Sequence, residues 1–466
     1  MAATVAQLRG TGHQLRTVKA EMRENLLTAL RAGEDAFPGI IGFGQTVLPQ
    51  LERAIIAGHD VILLGERGQG KTRLIRTLTL LLDEWTPVVT GCEINDHPYA
   101  PVCARCLRLA AELGDELPVS WRRRDERYGE KLATPDTSVG DLVGDIDPVK
   151  VAEGRTLGDP ETIHFGQVPR TNRGIFCLNE LPDLAERIQV ALLNVLEERD
   201  IGVRGYSLRL PLDMVLVASA NPEDYTNRGR IITPLKDRFG AEIRTHYPVS
   251  LEAELALIHQ EAQLSWGAAS APGAVLPEHL VQVIARFTRL VRASPAVDSR
   301  SGVSARFAIA AAEAVAASAV RRAAISGEDQ PVARVCDLPS TISTLRGKVE
   351  FEVSEEGREQ EVLDHLLRRA TAETFRGTLG NADLSGLLAR FAEGGAVETG
   401  DLLAATDLLR RIGEVQGLAK IMERLHMEGG ESFGEAAAAL EFAMEGLYLM
   451  RRLSKDSLDG GSVYRT

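Results

Sequence analysis

Residues 61–72 read Val-Ile-Leu-Leu-Gly-Glu-Arg-Gly-Gln-Gly-Lys-Thr, and this stretch decides the fold. Four apolar residues precede the pattern G-x-x-x-x-G-K-[ST], and residues 73–78 then favour a helix. In such a strand–loop–helix context, glycines let backbone N–H groups surround phosphate oxygens at a helix N-terminus. The lysine reaches the β- and γ-phosphates and the threonine ligates Mg²⁺. We therefore predict a site for ATP and Mg²⁺ made by Gly65, Glu66, Arg67, Gly68, Gln69, Gly70, Lys71 and Thr72.

Short apolar runs, separated by helical stretches, recur between residues 40 and 247. The clearest are residues 61–64, 88–89, 175–178 and 214–217. Runs of this kind, bounded by glycine or polar residues, are typical of buried strands in a mostly parallel sheet. After Leu251 strand signals nearly vanish and alanine- and leucine-rich helical patterns take over. The sequence predicts an α/β P-loop module, followed by an α-helical lid and a helical C-terminal region.

The chain of 466 residues is too long for one compact core. We predict an N-terminal helical lead-in at residues 1–36 and a nucleotide-binding core at 37–250, interrupted by a cysteine- and histidine-bearing insertion at about 92–130. A helical lid at 251–330 and a helical extension at 331–466 follow. The charged run at 121–127 is typical of a solvated face, and the last residues, 459–466, are expected to fray.

Composition narrows the class of protein. A net charge of −13 and an aromatic content of 5% argue against a specific nucleic-acid partner. The N-terminus has no apolar leader, and no run of about 18 apolar residues indicates a membrane span, so we expect a cytoplasmic protein. Five cysteines in a chain of this size do not resemble a secreted disulfide framework.

Polar residues follow three further elements of the predicted core. Asn179 and Glu180 end the apolar run at 175–178, where Glu180 would activate the attacking water and Asn179 stands at the position usually held by a metal-binding aspartate. Asn221 ends the run at 214–217 and is the candidate γ-phosphate sensor. Arg238, within Pro-Leu-Lys-Asp-Arg-Phe, is the candidate arginine finger. The alternative interpretations are that Asn179 is a capping residue at the end of an ordinary buried strand and that Arg238 is an ordinary surface arginine.

Four possible metal ligands occur within fifteen residues: Cys92, His97, Cys103 and Cys106. A C-x-x-C pair can bind one edge of a tetrahedral Zn²⁺ ion while a distant cysteine and histidine complete the site. We predict a structural zinc site, with redox chemistry or free thiols in an unremarkable loop as alternatives.

The order of these motifs resembles an AAA+ ATPase of the magnesium chelatase and MoxR branch. The similarity covers roughly residues 38–310 and is strongest in Ser-Val-Gly-Asp-Leu-Val-Gly-Asp-Ile-Asp at 138–147, Gly-Gln-Val-Pro-Arg at 166–170, Arg-Gly-Ile at 173–175 and Glu-Glu-Arg-Asp-Ile-Gly-Val-Arg-Gly at 197–205. The resemblance implies a second sensor arginine in the lid, for which Arg306 is the better candidate and Arg300 the reserve. It also implies a homo-oligomeric ring, often a hexamer, and a protein partner with a von Willebrand A-type domain.

Four functions remain open at this stage. The first is a ring-forming ATPase that remodels or activates a protein partner in the manner of a MoxR chaperone. The second is the ATPase subunit of a magnesium chelatase in tetrapyrrole synthesis. The third is a scaffold that binds ATP without hydrolysing it, suggested by Asn179. The fourth, a transcriptional activator of RNA polymerase, is disfavoured because such proteins carry a Gly-Ala-Phe-Thr-Gly-Ala loop, which this sequence does not contain.

Overall fold

The structure of the chain is a computed structural model. It describes residues 1–153, 160–197, 200–203, 206–221, 230–265, 273–298, 302–392, 395–427, 432–458 and 460–466. The chain divides into two units, Met1–His246 and Tyr247–Thr466. Within the described ranges, no helix is both long and apolar enough to cross a membrane.

The first unit alternates helices and strands. Its helices are α1 Val5–Gly10, α2 Val18–Ala32, α3 Val47–Ile56, α4 Lys71–Thr77, α5 Ala104–Leu113, α6 Val139–Leu142, α7 Pro148–Ala152, α8 Gln167–Arg170, α9 Glu186–Glu197 and α10 Thr233–Arg238. Its strands are β1 Val61–Leu64, β2 Trp85–Val89, β3 Val119–Arg123, β4 Tyr128–Leu132, β5 Gly144–Ile146, β6 Ile163–Phe165, β7 Gly174–Asn179, β8 Asp200–Val203, β9 Tyr206–Arg209, β10 Met214–Ala220 and β11 Ala241–Arg244.

A parallel five-stranded sheet forms the centre of the first unit. Its strand order is β11-β1-β10-β7-β4, and every neighbouring pair is parallel. Both faces are covered, because Ile62 and Leu64 belong to one buried apolar cluster while Val61 and Leu63 belong to another. Burial on both faces explains the uninterrupted apolar runs in the sequence. The predicted α/β class with a mostly parallel sheet is confirmed.

One predicted strand lies elsewhere. Residues 88–89 belong to β2, which pairs antiparallel with β3 in a separate two-stranded ribbon rather than in the main sheet.

The prediction that the charged run at 121–127 forms a solvated face is wrong for Arg127. That side chain is only 2% exposed and pairs with Glu21 through contacts of 2.7 and 2.8 Å. A buried carboxylate on another element decides its environment, and local sequence does not show such a partner.

The N-terminal segment packs onto the core rather than merely leading into it. It forms α1 and α2, separated by residues 11–17. Met22 and Leu26 of α2 share a buried cluster with Val61 of β1 and Ile175 of β7. The spacing of these apolar positions along α2 therefore reflects a contact with the central sheet.

The second unit is mostly helical, as predicted. Its helices are α11 Leu251–Glu261, α12 Glu278–Arg292, α13 Ala305–Ser326, α14 Ser340–Leu345, α15 Glu359–Thr378, α16 Ser385–Ala389, α17 Ala405–Ile412, α18 Leu418–Arg424 and α19 Phe433–Leu449. Its strands are β12 Val397–Gly400, β13 Ser454–Leu458 and β14 Gly461–Arg465. One apolar cluster extends from Ile258 to Tyr464, so residues on both sides of position 330 share a single core.

The C-terminus differs from the prediction of a frayed end. Strands β12, β14 and β13 form an antiparallel sheet, and Tyr464 is 1% exposed. The Tyr464 hydroxyl donates a hydrogen bond to Glu445 of α19. Gly460 has φ of +72°, which suits the turn between the two last strands. The glycines at this end mark a hairpin turn, because the residues that follow them are paired and packed.

Candidate functional site

The glycine-rich loop runs from the end of β1 into the first residue of α4. Gly68 and Gly70 adopt positive φ values of 72° and 81°, a backbone region that favours glycine. Lys71 is 8% exposed, and its Nζ donates to the carbonyl oxygens of Gly65 and, at 2.8 Å, Glu66. Gln69 is buried as well; Glu66, Gly68 and Thr72 are half-buried, while Arg67 and Gly70 are exposed. The loop thus wraps around the lysine that the sequence assigns to phosphate binding.

Gly65 is the tightest point of the loop. A Cβ atom built on it would lie 1.9 Å from Thr245 Oγ1 and 2.2 Å from Gln69 Oε1. Those two side chains bond to each other, because Thr245 Oγ1 donates to Gln69 Oε1 at 2.7 Å. Thr245 follows β11, the strand beside β1. Tertiary packing from a neighbouring strand therefore requires glycine at the first loop position.

Asn179 and Asn221, two of the predicted site residues, reach the same edge of the sheet as the glycine-rich loop. Asn179 is the last residue of β7, and Asn221 directly follows β10, which lies between β7 and β1. The Gly65 N–H donates to the Ala220 carbonyl oxygen at 3.1 Å, so Asn221 begins beside the glycine-rich loop. Asn221 is 3% exposed. Carboxyl ends of parallel strands meet at one edge, and ligands of open α/β sheets bind there.

Glu180 occupies an unusual backbone conformation at this edge. Its φ and ψ are 54° and 48°, in the left-handed region that residues with a side chain rarely adopt. Its N–H donates to Ser219 Oγ at 3.4 Å. Such backbone outliers cost free energy and concentrate at functional sites. The catalytic role of Glu180 stays a prediction.

Both ends of the Asn179 amide are held by neighbouring strands. Its Nδ2 donates to Glu130 Oε1 at 2.6 Å, and its Oδ1 accepts from Ser219 Oγ at 3.0 Å. The hydrogen bonds fix the direction of the amide and join β4, β7 and β10 near the edge of the sheet where the glycine-rich loop lies. Asn179 is uncharged, but its direct partner is a carboxylate.

Glu130 is a residue that sequence analysis missed. It lies on β4, and its side chain is 23% exposed. Its second oxygen, Oε2, accepts from Arg76 Nη2 at 2.9 Å and from the Tyr128 hydroxyl at 3.1 Å. Arg76 stands four residues after Thr72 on α4, and residues at that spacing share one helix face. A carboxylate therefore lies beside the position where an aspartate is expected.

Arg238 lies at the opposite edge of the sheet. It ends α10 and lines a surface cleft with Asp60 and Phe239. Asp60 precedes β1, whereas the glycine-rich loop follows β1. Four residues of strand separate the two edges by about 13 Å. Arg238 is exposed and is placed away from the nucleotide site of its own chain.

The predicted lid arginine lies in the second unit. Arg306 is exposed in the first turn of α13, where its N–H donates to Ser304 Oγ at 3.1 Å. Its role stays a prediction. The reserve candidate, Arg300, lies outside the described residues.

The insertion gathers three thiols, but a carboxylate rather than the predicted histidine lies beside them. Ligand atoms of Cys92, Asp96, Cys103 and Cys106 all lie within 4.8 Å of one another. His97 is excluded from this group because its Nδ1 accepts from the Tyr99 N–H at 3.0 Å and its Nε2 lies 3.1 Å from His13 Nε2.

Burial and neighbouring groups set the protonation of this cluster. Burial lowers the pKa of His97 to about 3 and raises the pKa of Asp96 to about 6. Hydrogen bonds with Cys103 and Cys106 lower the pKa of Cys92. One thiol of the group is therefore predisposed to be a thiolate, which is the form that binds metals.

One family model matches a short part of the chain. Residues 156–238, less than a fifth of the chain, match the family model described as "Sigma-54 interaction domain". This segment includes Asn179, Glu180, Asn221 and Arg238 but does not reach the glycine-rich loop.

Curated relatives match a larger part of the chain. A magnesium-chelatase subunit ChlI of Nostoc sp. is 31% identical over 227 residues, which cover 47% of this chain and 57% of the relative. A magnesium-chelatase 38 kDa subunit of Cereibacter sphaeroides is 29% identical over 244 residues, covering 50% of this chain and 67% of the relative. This chain thus spans between about half and two thirds of the length of these relatives.

Among solved structures, a model of the complex between subunits BchI and BchD of magnesium chelatase aligns with 20% identity and a TM-score of 0.37. The alignment covers 70% of this chain and 98% of that one. A similarity of this size supports no argument by itself.

Proposed function

We propose that this chain, whose core is homologous to the AAA+ subunits of magnesium chelatase, is a ring-forming ATPase that uses ATP hydrolysis to remodel or activate a protein partner. The observation that carries the proposal is the meeting of the glycine-rich loop, Glu180 and Asn221 at one edge of a parallel sheet. This is where a phosphate chain, a water-activating carboxylate and a phosphate sensor are needed together.

The proposed chemistry assigns one task to each residue. Backbone N–H groups of the loop bind phosphate oxygens, and Lys71 balances the charge of the β- and γ-phosphates. Glu180 accepts a proton from the attacking water and orients it, while Asn221 donates a hydrogen bond to the γ-phosphate. These residues position the reactants and stabilise the charge that develops during phosphoryl transfer.

The oxygen-rich side chains near α4 fit a magnesium ion. Thr72 would be a direct ligand, and Asn179 with Glu130 would accept hydrogen bonds from its water molecules, because Mg²⁺ favours oxygen ligands and retains several waters. When bound, the ion neutralises phosphate charge. Glu130 places a carboxylate, which is paired with Arg76, beside the uncharged Asn179. We prefer hydrolysis over the alternative of a non-hydrolysing ATP-gated scaffold because the candidate water-activating carboxylate, Glu180, is present.

A ring explains the position of Arg238. At the far edge of its own sheet, it is suited to contact the nucleotide of a neighbouring copy, where a guanidinium can stabilise transition-state charge. The family resemblance assigns a phosphate-sensing role to Arg306, and this role stays a prediction. A hexamer is the ring size that we favour from the family resemblance.

The identity of the partner separates the two enzymatic versions of the proposal. In the first, a MoxR-like chaperone acts on a protein with a von Willebrand A-type domain. In the second, the chain is the ATPase subunit of a magnesium chelatase in tetrapyrrole synthesis. The broader function is preferred because the alignment spans only 57% of the Nostoc subunit and 47% of this chain. We propose that either version operates in the cytoplasm and without nucleic acid.

The test is steady-state ATP hydrolysis with Mg²⁺ across a range of protein concentrations. We expect specific activity to rise with concentration. Lys71→Ala should lose nucleotide binding, while Glu180→Gln should bind ATP without turnover. Absence of turnover in the wild type at every concentration, with ATP bound, would favour the scaffold and refute the ATPase proposal.

A mixing experiment tests the arginine finger directly. Arg238→Ala should bind ATP but not hydrolyse it, and Lys71→Ala should do neither. Mixed together, they should recover part of the activity, because Arg238 of the Lys71→Ala copy can complete the intact nucleotide site of the other copy. Arg123→Ala, which changes an exposed arginine in β3, is the control. Full turnover by Arg238→Ala alone would remove it from this role.

A further inference from the structure

We infer that Cys92, Asp96, Cys103 and Cys106 form a closed, structural zinc site in the insertion between the glycine-rich loop and β7. The four side chains come from the loop after β2 and from the start of α5. The site is separate from the nucleotide site, and it does not depend on the proposed ATPase function.

The arrangement of the sulfur atoms suits a tetrahedral ion. Cys92 Sγ and Cys103 Sγ are 4.0 Å apart. Two sulfurs bound to one tetrahedral Zn²⁺ at about 2.3 Å each would be separated by about 3.8 Å. A disulfide instead requires about 2.05 Å, and all three cysteines are free thiols. The spacing therefore resembles shared metal ligation rather than a disulfide.

Asp96 provides an independent reason to place a cation here. The residue is 0% exposed. Its Oδ2 accepts from the N–H groups of Val102 and Cys103 at 3.0 and 2.9 Å, whereas its Oδ1 has no hydrogen-bond partner among the described residues. A buried carboxylate oxygen without a partner is costly unless a cation or a donor compensates it. A metal ion among the thiols would supply that compensation.

The donor set selects the ion. Three thiolates and one carboxylate favour Zn²⁺ over the hard cations Mg²⁺ and Ca²⁺, which prefer oxygen alone. Four protein ligands leave no open coordination position, so the ion would be structural and would take no part in ATP hydrolysis.

The site would stabilise a segment that supports the central sheet. Cys103 caps α5, with its sulfur accepting from the Cys106 N–H at 3.4 Å. Between the ligands, Asn95 Nδ2 donates to the Arg170 carbonyl oxygen at 2.6 Å, and the Ile94 carbonyl oxygen accepts from Asn172 at 3.0 Å. Residues 170–172 lead into β7. Metal loss should therefore loosen the support of the strand that carries Asn179.

The first experiment measures zinc in the full chain, purified under reducing conditions and supplied with Zn²⁺. We expect one zinc per chain by elemental analysis. Replacement by Co²⁺ should give the visible absorption of a tetrahedral site with thiolate charge-transfer bands. Removal with a chelator should lower the melting temperature, and added Zn²⁺ should restore it. Wild-type protein that holds no zinc after this treatment would overturn the inference.

Two variants at adjacent positions test the ligand set. Asp96→Asn should weaken zinc affinity by about 100-fold or more, since even second-shell changes cost roughly 10- to 100-fold. His97→Ala should keep one zinc and the same cobalt spectrum. Cys336→Ser changes a thiol in the second unit, outside the proposed ligand set, and should also keep the metal. Loss of zinc in His97→Ala, with retention in Asp96→Asn, would refute this ligand set.

Discussion

The contact between Asn179 and Glu130 predicts how the chain responds to an aspartate at position 179. Aspartate is the residue that the family resemblance predicts at this position, yet we expect Asn179→Asp to be less stable than the wild type without nucleotide. Asn179 Nδ2 lies 2.6 Å from Glu130 Oε1, so Asn179→Asp places two carboxylates against each other. The donor of a hydrogen bond is lost at the same time.

The size of the effect follows from the geometry. Two unit charges about 4 Å apart repel by about 4 kcal/mol at an effective dielectric constant of about 20. Arg76, 2.9 Å from Glu130 Oε2, offsets part of this charge, and the Glu130 side chain is 23% exposed. We therefore expect Asn179→Asp to lower the free energy of unfolding by about 2 kcal/mol at pH 7. The loss should shrink as the pH is lowered, because protonating one carboxylate removes the repulsion.

Urea unfolding without nucleotide or Mg²⁺ measures this loss, and a double-mutant cycle isolates the pair. The double variant Asn179→Asp/Glu130→Gln exchanges amide and carboxylate, so its stability should return to within about 1 kcal/mol of the wild type. Asn194→Asp, at an exposed position of α9, controls for the added charge.

Magnesium dependence provides the functional readout. Glu130→Gln should raise the Mg²⁺ concentration needed for tight binding of a fluorescent ATP analogue, and the exchanged double variant should recover it. An Asn179→Asp protein as stable as the wild type, or a double variant no better than Asn179→Asp, would refute the pairing of these residues.

Three further changes test other parts of the structure. Gly65→Ala should weaken ATP binding at least about 10-fold in a fluorescence titration, because its Cβ would lie 1.9 Å from a side-chain oxygen packed beneath the loop. Arg127→Ala should lower the free energy of unfolding by about 3–5 kcal/mol in the same urea assay, since it leaves the buried Glu21 carboxylate without its cation. As the control, Arg123→Ala removes an exposed ion pair with Asp125 and should lower it by less than about 1 kcal/mol. Burial lowers the pKa of His279 to about 3, whereas a histidine in the unfolded chain takes up a proton as the pH falls below about 6.5. Lowering the pH from 7 to 5 therefore destabilises the wild type through His279, and His279→Leu should lose about 2 kcal/mol less stability than the wild type over this range in urea titrations. Equal losses in the two proteins would contradict this prediction.

Predictions from the sequence were correct for features that depend on residues close together along the chain. The glycine-rich loop needs glycines at fixed offsets between a buried strand and a helix, and all of these features lie within residues 61–78. The apolar runs at 175–178 and 214–217 became β7 and β10, because four or more consecutive apolar residues indicate burial on both faces of a sheet. The fold class and the polar residues at two strand ends could therefore be predicted from local pattern.

Tertiary structure decided which of two adjacent residues faces a site. Asp96, not His97, lies with the three thiols, and the preceding residue, Asn95, has a positive φ of 59°. Periodicity along the sequence does not predict such a backbone conformation. The same limit applies to the C-terminal sheet, since the short strand β12 pairs with a strand more than sixty residues later.

The sequence by itself determined that this chain has a P-loop, a parallel sheet, a mostly helical second half and acidic and polar residues at two strand ends. Only the tertiary structure decided that Glu130 accepts a hydrogen bond from Asn179, a partner 49 residues away, and that Arg238 lies at the far edge of the sheet. The physical reason is that local patterns record backbone preference and burial. Strand order and register, which bring distant side chains together, depend on the whole packed core.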